Sequence, residues 1–151
     1  MITKIPLELI DLNGDGFHLA IEVEVNGVKL RMILDTGASR TVFDVNRIDS
    51  FVQNPEMEVN EQLSTGLGTN DMQSNILHID SFVIGELRIP DYSTVAIDMV
   101  HINQTYEILE MPLIDGVLGS DILHEFQAKI DYKTKELTLK FHKRKYPPIE
   151  N

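Results

Sequence analysis

One short segment concentrates residues able to do chemistry. Met32-Ile33-Leu34-Asp35-Thr36-Gly37-Ala38-Ser39 brings an apolar strand to a carboxylate and then turns sharply. Gly37 permits close backbone approach at that turn, and Ser39 or the backbone amides can hydrogen-bond the carboxylate oxygens. Burying Asp35 without such partners would be costly, so the site either functions or is satisfied structurally. A second segment, Ile114-Asp115-Gly116-Val117-Leu118-Gly119-Ser120-Asp121, places an apolar pair before a glycine and opens a short helix.

Other motifs carry less. Asp11, Asn13, Asp15, Gly16 and Glu22 satisfy the calcium-loop pattern D-x-N-x-D-G-x5-E. Their flanks contradict it, because such a loop needs a helix on each side. Pro6 lies upstream, residues 17–25 read as a strand, and His18 takes a loop position where an apolar residue usually packs. A polar hairpin turn is the better reading, and no metal site is expected. The five histidines (His18, His78, His101, His124, His142) are scattered, with no i, i+4 pair. Gly66-Leu67-Gly68 lacks the third glycine and the helix of a dinucleotide loop. No cofactor is implied.

The elements that must position Asp35 are mostly strands. Phe17, Leu19, Ile21, Val23 and Val25 alternate with His18, Glu22 and Glu24, which is period two with one wet face. Asn26-Gly27 supplies a two-residue hairpin turn, and Val28, Leu30, Met32 and Leu34 alternate on the return. Further strands are expected at 76–84 and 93–98, and 126–132 should pair with 136–141 across Lys133-Thr134. Short helical stretches are expected at 45–52, 103–110 and 120–126. Tyr146-Pro147-Pro148 cannot continue a ladder. The expected class is all-β (mostly β) with one or two short helices, as a single domain over 1–151.

Composition excludes several classes. The 151 residues carry a net charge of −11 and no cysteine. Residues 129–151 hold seven Lys/Arg against three Asp/Glu, so the first 128 carry −15. Such an acidic body repels phosphate backbones, and no nucleic-acid partner is expected. Without cysteine there is no disulfide scaffold, thiol catalysis or Cys-ligated metal. The N-terminus lacks a signal-peptide pattern and no run is long enough to span a membrane, so the chain reads as soluble and cytoplasmic.

Asp35-Thr36-Gly37-Ala38-Ser39 followed by Thr41-Val42-Phe43, with Val117-Leu118-Gly119 downstream, resembles the retropepsin-like aspartic proteases, closest to the small bacterial members. The likeness covers the order of elements over most of 17–141. It implies an acid-protease half-barrel, with Asp35 as catalytic aspartate, Thr36 gripping the opposite subunit's loop and Gly37 approaching the substrate. Val117, Leu118 and Gly119 would support that loop from beneath. Gly66, Leu67 and Gly68, within Ser64–Thr69, would form a flap tip that contacts substrate. Residues 99–113 look like an insertion of unassigned role. The implied activity is aspartic-type endopeptidase hydrolysis of a peptide or protein substrate. The chemistry needs two carboxylates sharing one proton, and this chain has one such motif, so a homodimer is implied. The alternative is a non-catalytic, protease-derived peptide-binding or dimerisation module. An intact, buried Asp35 would favour the enzyme.

Overall fold

The computed structural model describes residues 1–52, 58–59 and 75–147. Among these residues, ten strands are linked edge to edge: β1 (Ile2–Asp11), β2 (Phe17–Val25), β3 (Val28–Leu34), β4 (Val42–Asp44), β5 (Glu58–Val59), β6 (Asn75–Ile84), β7 (Leu87–Ile97), β8 (Gly116–Leu118), β9 (Lys129–Asp131) and β10 (Glu136–Lys140). The described residues also hold two short α-helices, α1 (Val100–Ile108) and α2 (Ser120–Glu125). The strand order is β5-β6-β7-β4-β8-β3-β2-β1-β10-β9, and a further β6–β2 pairing closes the six strands from β6 to β2 into a barrel.

Alternation explains the barrel's interior. Leu19, Ile21, Val23 and Val25 of β2 and Leu30, Met32 and Leu34 of β3 all face one core, with Phe43, Phe82, Ile84 and Leu118. The β2–β3 turn falls at Asn26-Gly27, where both residues have positive φ (50° and 83°), as a right-twisted two-residue hairpin requires. The opposite face is not uniformly wet. Ala20, Ile33 and Val117 form a second cluster with Ile10, Met99, Tyr106 and Ile114. The segment 99–113 therefore covers part of the barrel wall from outside.

Several elements differ from the sequence reading. β1 was not anticipated, because Pro6 and the charges of Lys4 and Glu8 obscure its pattern. Pro6 stands where β1 changes partner: residues 2–6 pair with β10 and residues 7–11 with β2. A residue with no N–H is tolerated at such an end of a ladder. β7 begins at Leu87, well before residue 93, because Gly85 (φ 61°) turns the chain directly back on β6. The C-terminal hairpin is shorter than expected. Phe126 caps α2, and Asp131 pairs with Glu136 around a four-residue connection instead of Lys133-Thr134 alone. Residues 45–52 contain only a single 3₁₀ turn, Ile48–Ser50, and α1 starts at Val100, earlier than 103.

The apparent calcium loop is the β1–β2 hairpin connection. Gly14 N donates to Asp11 Oδ1 (3.1 Å), Leu12 N donates to Gly16 O (2.9 Å), and Asn13, Gly14 and Gly16 all have positive φ. Glu22 is exposed on β2, opposite Arg31.

Candidate active site

The topology explains why Asp35 sits where it does. β3 runs parallel to β8, pairing Met32, Ile33 and Leu34 with Gly116, Val117 and Leu118. β4 runs antiparallel to β8 on its other side. The loop 35–41, joining β3 to β4, must therefore arch over the end of β8, and the chain leaving β8 passes directly beneath it. Asp35 N donates to Leu118 O (3.0 Å), and Ser120 N donates to Ala38 O (2.7 Å).

This crossing dictates two glycines. A Cβ on Gly116 would lie 2.5 Å from Val42 O and 2.9 Å from Met32 Cε. One on Gly119 would lie 2.7 Å from the Arg40 carbonyl and 2.9 Å from Ala38 O. Real Cβ contacts are not that short, and backbone on the other side cannot step away. Val117, Leu118 and Gly119 thus lie where the sequence comparison put them, under the loop.

Thr41 fastens the loop's far end. It is fully buried, and its hydroxyl donates to Asp121 Oδ1 (2.8 Å) while accepting from Gly119 N (3.0 Å). Its amide also donates to Asp121 Oδ1 (2.9 Å), and Thr94 Oγ1 donates to its carbonyl. Asp121 Oδ2 accepts from Tyr92 OH (2.9 Å). Burial, with the Asp121 charge beside it, pushes the Tyr92 phenol far above its ordinary value. One carboxylate thus ties together the loop, β7 and the start of α2. Thr41 and Asp121 lie inside the two sequence motifs, but nothing in a linear pattern marks them as partners 80 positions apart.

Asp35, Thr36 and Gly37 are all exposed in the single chain. Asp35 is therefore not the buried carboxylate that the sequence reading assumed, and the desolvation argument for its retention does not apply to one chain alone. Of the two kinds of partner expected for it, Ser39 or the backbone amides, it has an amide: Gly37 N donates to Asp35 Oδ1 (2.9 Å). Among the described residues, Oδ2 and the Thr36 hydroxyl have no hydrogen-bond partner within the chain. A Cβ on Gly37 would approach Asp35 Oδ1 to 3.3 Å, tight against the carboxylate. Gly66, Leu67 and Gly68 lie outside the described residues.

Asp35 and Thr36 form part of a groove of about 400 Å3, walled by Phe17, His18 and Leu19 of β2, Ile102 of α1, and Ile130 and Tyr132 at β9. Phe17 and Tyr132 are 61% and 65% exposed, so this groove presents large apolar groups around a carboxylate. The sequence reading did not assign His18 or α1 to this place. Among the described residues, potential metal ligands gather at His78, Asp80 and Asp91, on the exposed face of the β6–β7 hairpin and outside this groove.

α1 is held by two buried side chains. Asn103 Nδ2 donates to Asp44 Oδ2 (3.0 Å) and to Ile114 O (2.9 Å), and its Oδ1 accepts from Ile114 N (2.7 Å). Three residues on, one helical turn away, Tyr106 is fully buried and its hydroxyl meets His18 Nδ1 at 2.7 Å. Burial raises the Tyr106 phenol above its ordinary value.

A closed six-stranded barrel with a glycine-supported Asp-Thr-Gly loop defines the retropepsin-like fold. The family described as aspartyl protease matches residues 21–122, from β2 to the start of α2, and the chain belongs to that family. Among solved structures it is similar to a retropepsin-like aspartic protease from Rickettsia conorii (20% identity, TM-score 0.56, 92% of this chain and 90% of that one). It is also similar to the retroviral protease-like domain of Ddi1 from Leishmania major (18% identity, TM-score 0.53, 81% and 87%). A third likeness is to EIAV protease complexed with the inhibitor HBY-793 (18% identity, TM-score 0.54, 81% and 99%). No curated protein sequence matches. Among the described residues no helix is long and apolar enough to cross a membrane.

Proposed function

We propose that the protein is an aspartic endopeptidase whose active form is a homodimer. The observation that carries this reading is the Asp35 carboxylate, displayed at the surface on a braced loop, with one oxygen held by Gly37 N and the other without a partner among the described residues. One chain supplies one such carboxylate. A two-fold axis through the exposed Asp35-Thr36-Gly37 surface brings two together, and only then is either desolvated. Thr36, exposed beside Asp35, is positioned to bond to the partner's loop.

In the dimer the two Asp35 side chains share one proton, because like charges at contact distance do not both ionise. The ionised member takes a proton from a bound water as the water oxygen attacks the peptide carbonyl carbon. The protonated member gives its proton to the carbonyl oxygen. Collapse of the tetrahedral diol breaks the C–N bond as a proton passes to the amine nitrogen, and no acyl-enzyme forms.

The test is cleavage of an unbiased peptide library by the wild-type chain and by Asp35→Asn. Cleavage should be lost in the variant with its fold kept, since an exposed site tolerates that exchange within about 0.5 kcal/mol. Specific activity of the wild type should fall on dilution. Peptide binding without turnover in both proteins would establish the non-catalytic module instead.

A further inference from the structure

The inserted segment 99–113 has a place in that chemistry. Its helix α1 contributes Ile102 to the groove that holds Asp35, and its buried Tyr106 fixes the orientation of His18 in the same groove. We infer that His18 is a specificity-determining residue, positioned by Tyr106, which donates a hydrogen bond from Nε2 to a side-chain oxygen of the peptide residue next to the cleaved bond. The inference rests on the protease reading for what occupies the groove.

The tautomer follows from satisfaction of buried groups. Tyr106 is fully buried, and burial holds its phenol in the protonated form. Among the described residues, His18 Nδ1 is the partner recorded for that hydroxyl. A buried O–H left without an acceptor costs about 1–3 kcal/mol, so the phenol donates and Nδ1 accepts. In the singly protonated ring the proton then sits on Nε2. His18 lines the groove, and among the described residues its Nε2 has no hydrogen-bond partner.

The occupant is substrate because the groove includes Asp35 itself. Whatever fills it touches the carboxylate that attacks through water, and about 400 Å3 accommodates a peptide side chain. Phe17, Ile102 and Val117 provide an apolar wall for the stem of that side chain. An N–H donor set in an apolar wall discriminates by what it leaves unpaired. Gln or Glu presents an acceptor oxygen, whereas Met, of similar length, leaves the donor desolvated without a partner. By two-fold symmetry the same preference applies on both sides of the cleaved bond.

The experiment uses two matched peptide sets with Gln, Glu or Met beside one bond. One set is cleavable, and the other carries a reduced CH2–NH link and is used for binding by calorimetry. In the wild type, kcat/KM for the Gln or Glu peptide should exceed that for Met about tenfold, mainly through KM, as the loss of one hydrogen bond implies. Tyr106→Phe removes a single oxygen and keeps the buried ring. It should bring that ratio to about 1, while ring 15N shifts of His18 move from the Nε2–H tautomer to a mixture. His18→Phe should reverse the preference toward Met. Cleavage with equal use of all three peptides overturns this inference and leaves the protease reading intact. Binding preference without any cleavage overturns the protease reading and keeps the role of His18. A changed dimer dissociation constant in Tyr106→Phe, with peptide preference unaltered, assigns the groove wall to the second copy and overturns it.

Discussion

Replacing Thr41 with valine tests whether the Asp35 loop is held by polar contacts or by packing. Valine matches threonine in shape and exchanges the hydroxyl for a methyl. Thr41 is fully buried, so an account based on apolar burial alone predicts gain, by about 1 kcal/mol for the added methyl. The hydroxyl, however, makes two bonds here, one to Asp121 Oδ1 and one from Gly119 N. The Gly119 amide is buried and would be orphaned, at about 1–3 kcal/mol, and the bond to the carboxylate adds about 1.5 kcal/mol or more. The net expectation is a loss of about 2–3 kcal/mol, or roughly 4–12 °C in Tm for a domain of this size. Thr41→Ser keeps both bonds and loses only the methyl, at about 1 kcal/mol. Urea unfolding at one fixed protein concentration, with unchanged slope, measures both variants. Valine should be less stable than serine. If valine equals or exceeds serine, the loop is held by packing, and Asp121 does not have the bracing role given to it above.

Three further outcomes are expected. Thr36→Val should weaken the dimer in sedimentation while each chain stays folded, whereas Thr36→Ser should not, because the hydroxyl is retained; equal dissociation constants for wild type and Thr36→Val refute the cross-subunit grip. Burial raises both Tyr92 and Tyr106 in the folded chain, so the unfolded state gives up these protons first and stability should fall as pH rises above about 10, the ordinary phenol value; Tyr92→Phe should lessen that fall, as read from urea midpoints between pH 8 and 11. Cleavage should follow a bell-shaped pH profile on the acidic side of neutrality, with both limbs moving down at high salt as the field of the −15 carried by residues 1–128 is screened; a flat profile between about pH 4 and 9 excludes a shared-proton pair.

What the sequence determined by itself is local. Strand alternation from Phe17 to Leu34, the Asn26-Gly27 turn and the delivery of Asp35 to a strand end all follow from residues within a few positions of one another. Periodicity and turn chemistry are short-range properties, so they are legible in one chain without a partner. The pairing of the Asp-Thr-Gly and Val-Leu-Gly segments was legible only through likeness to a family. Its reason, backbone crossing backbone at Gly116 and Gly119, appears only in three dimensions. β1 was hidden because Pro6 breaks its pattern, and only the change of partner from β10 to β2 shows why proline fits there. Burial at Asp35, and the uniformly wet outer face expected of β2, were misjudged for the same physical reason. Whether a face is wet depends on what lies over it: α1 covers Ala20 and Ile33, and Asp35 stays exposed among the described residues. The links from Thr41 to Asp121, Asn103 to Asp44 and His18 to Tyr106 span 80, 59 and 88 positions. No propensity or period encodes such contacts, because closure of the barrel decides which distant side chains meet.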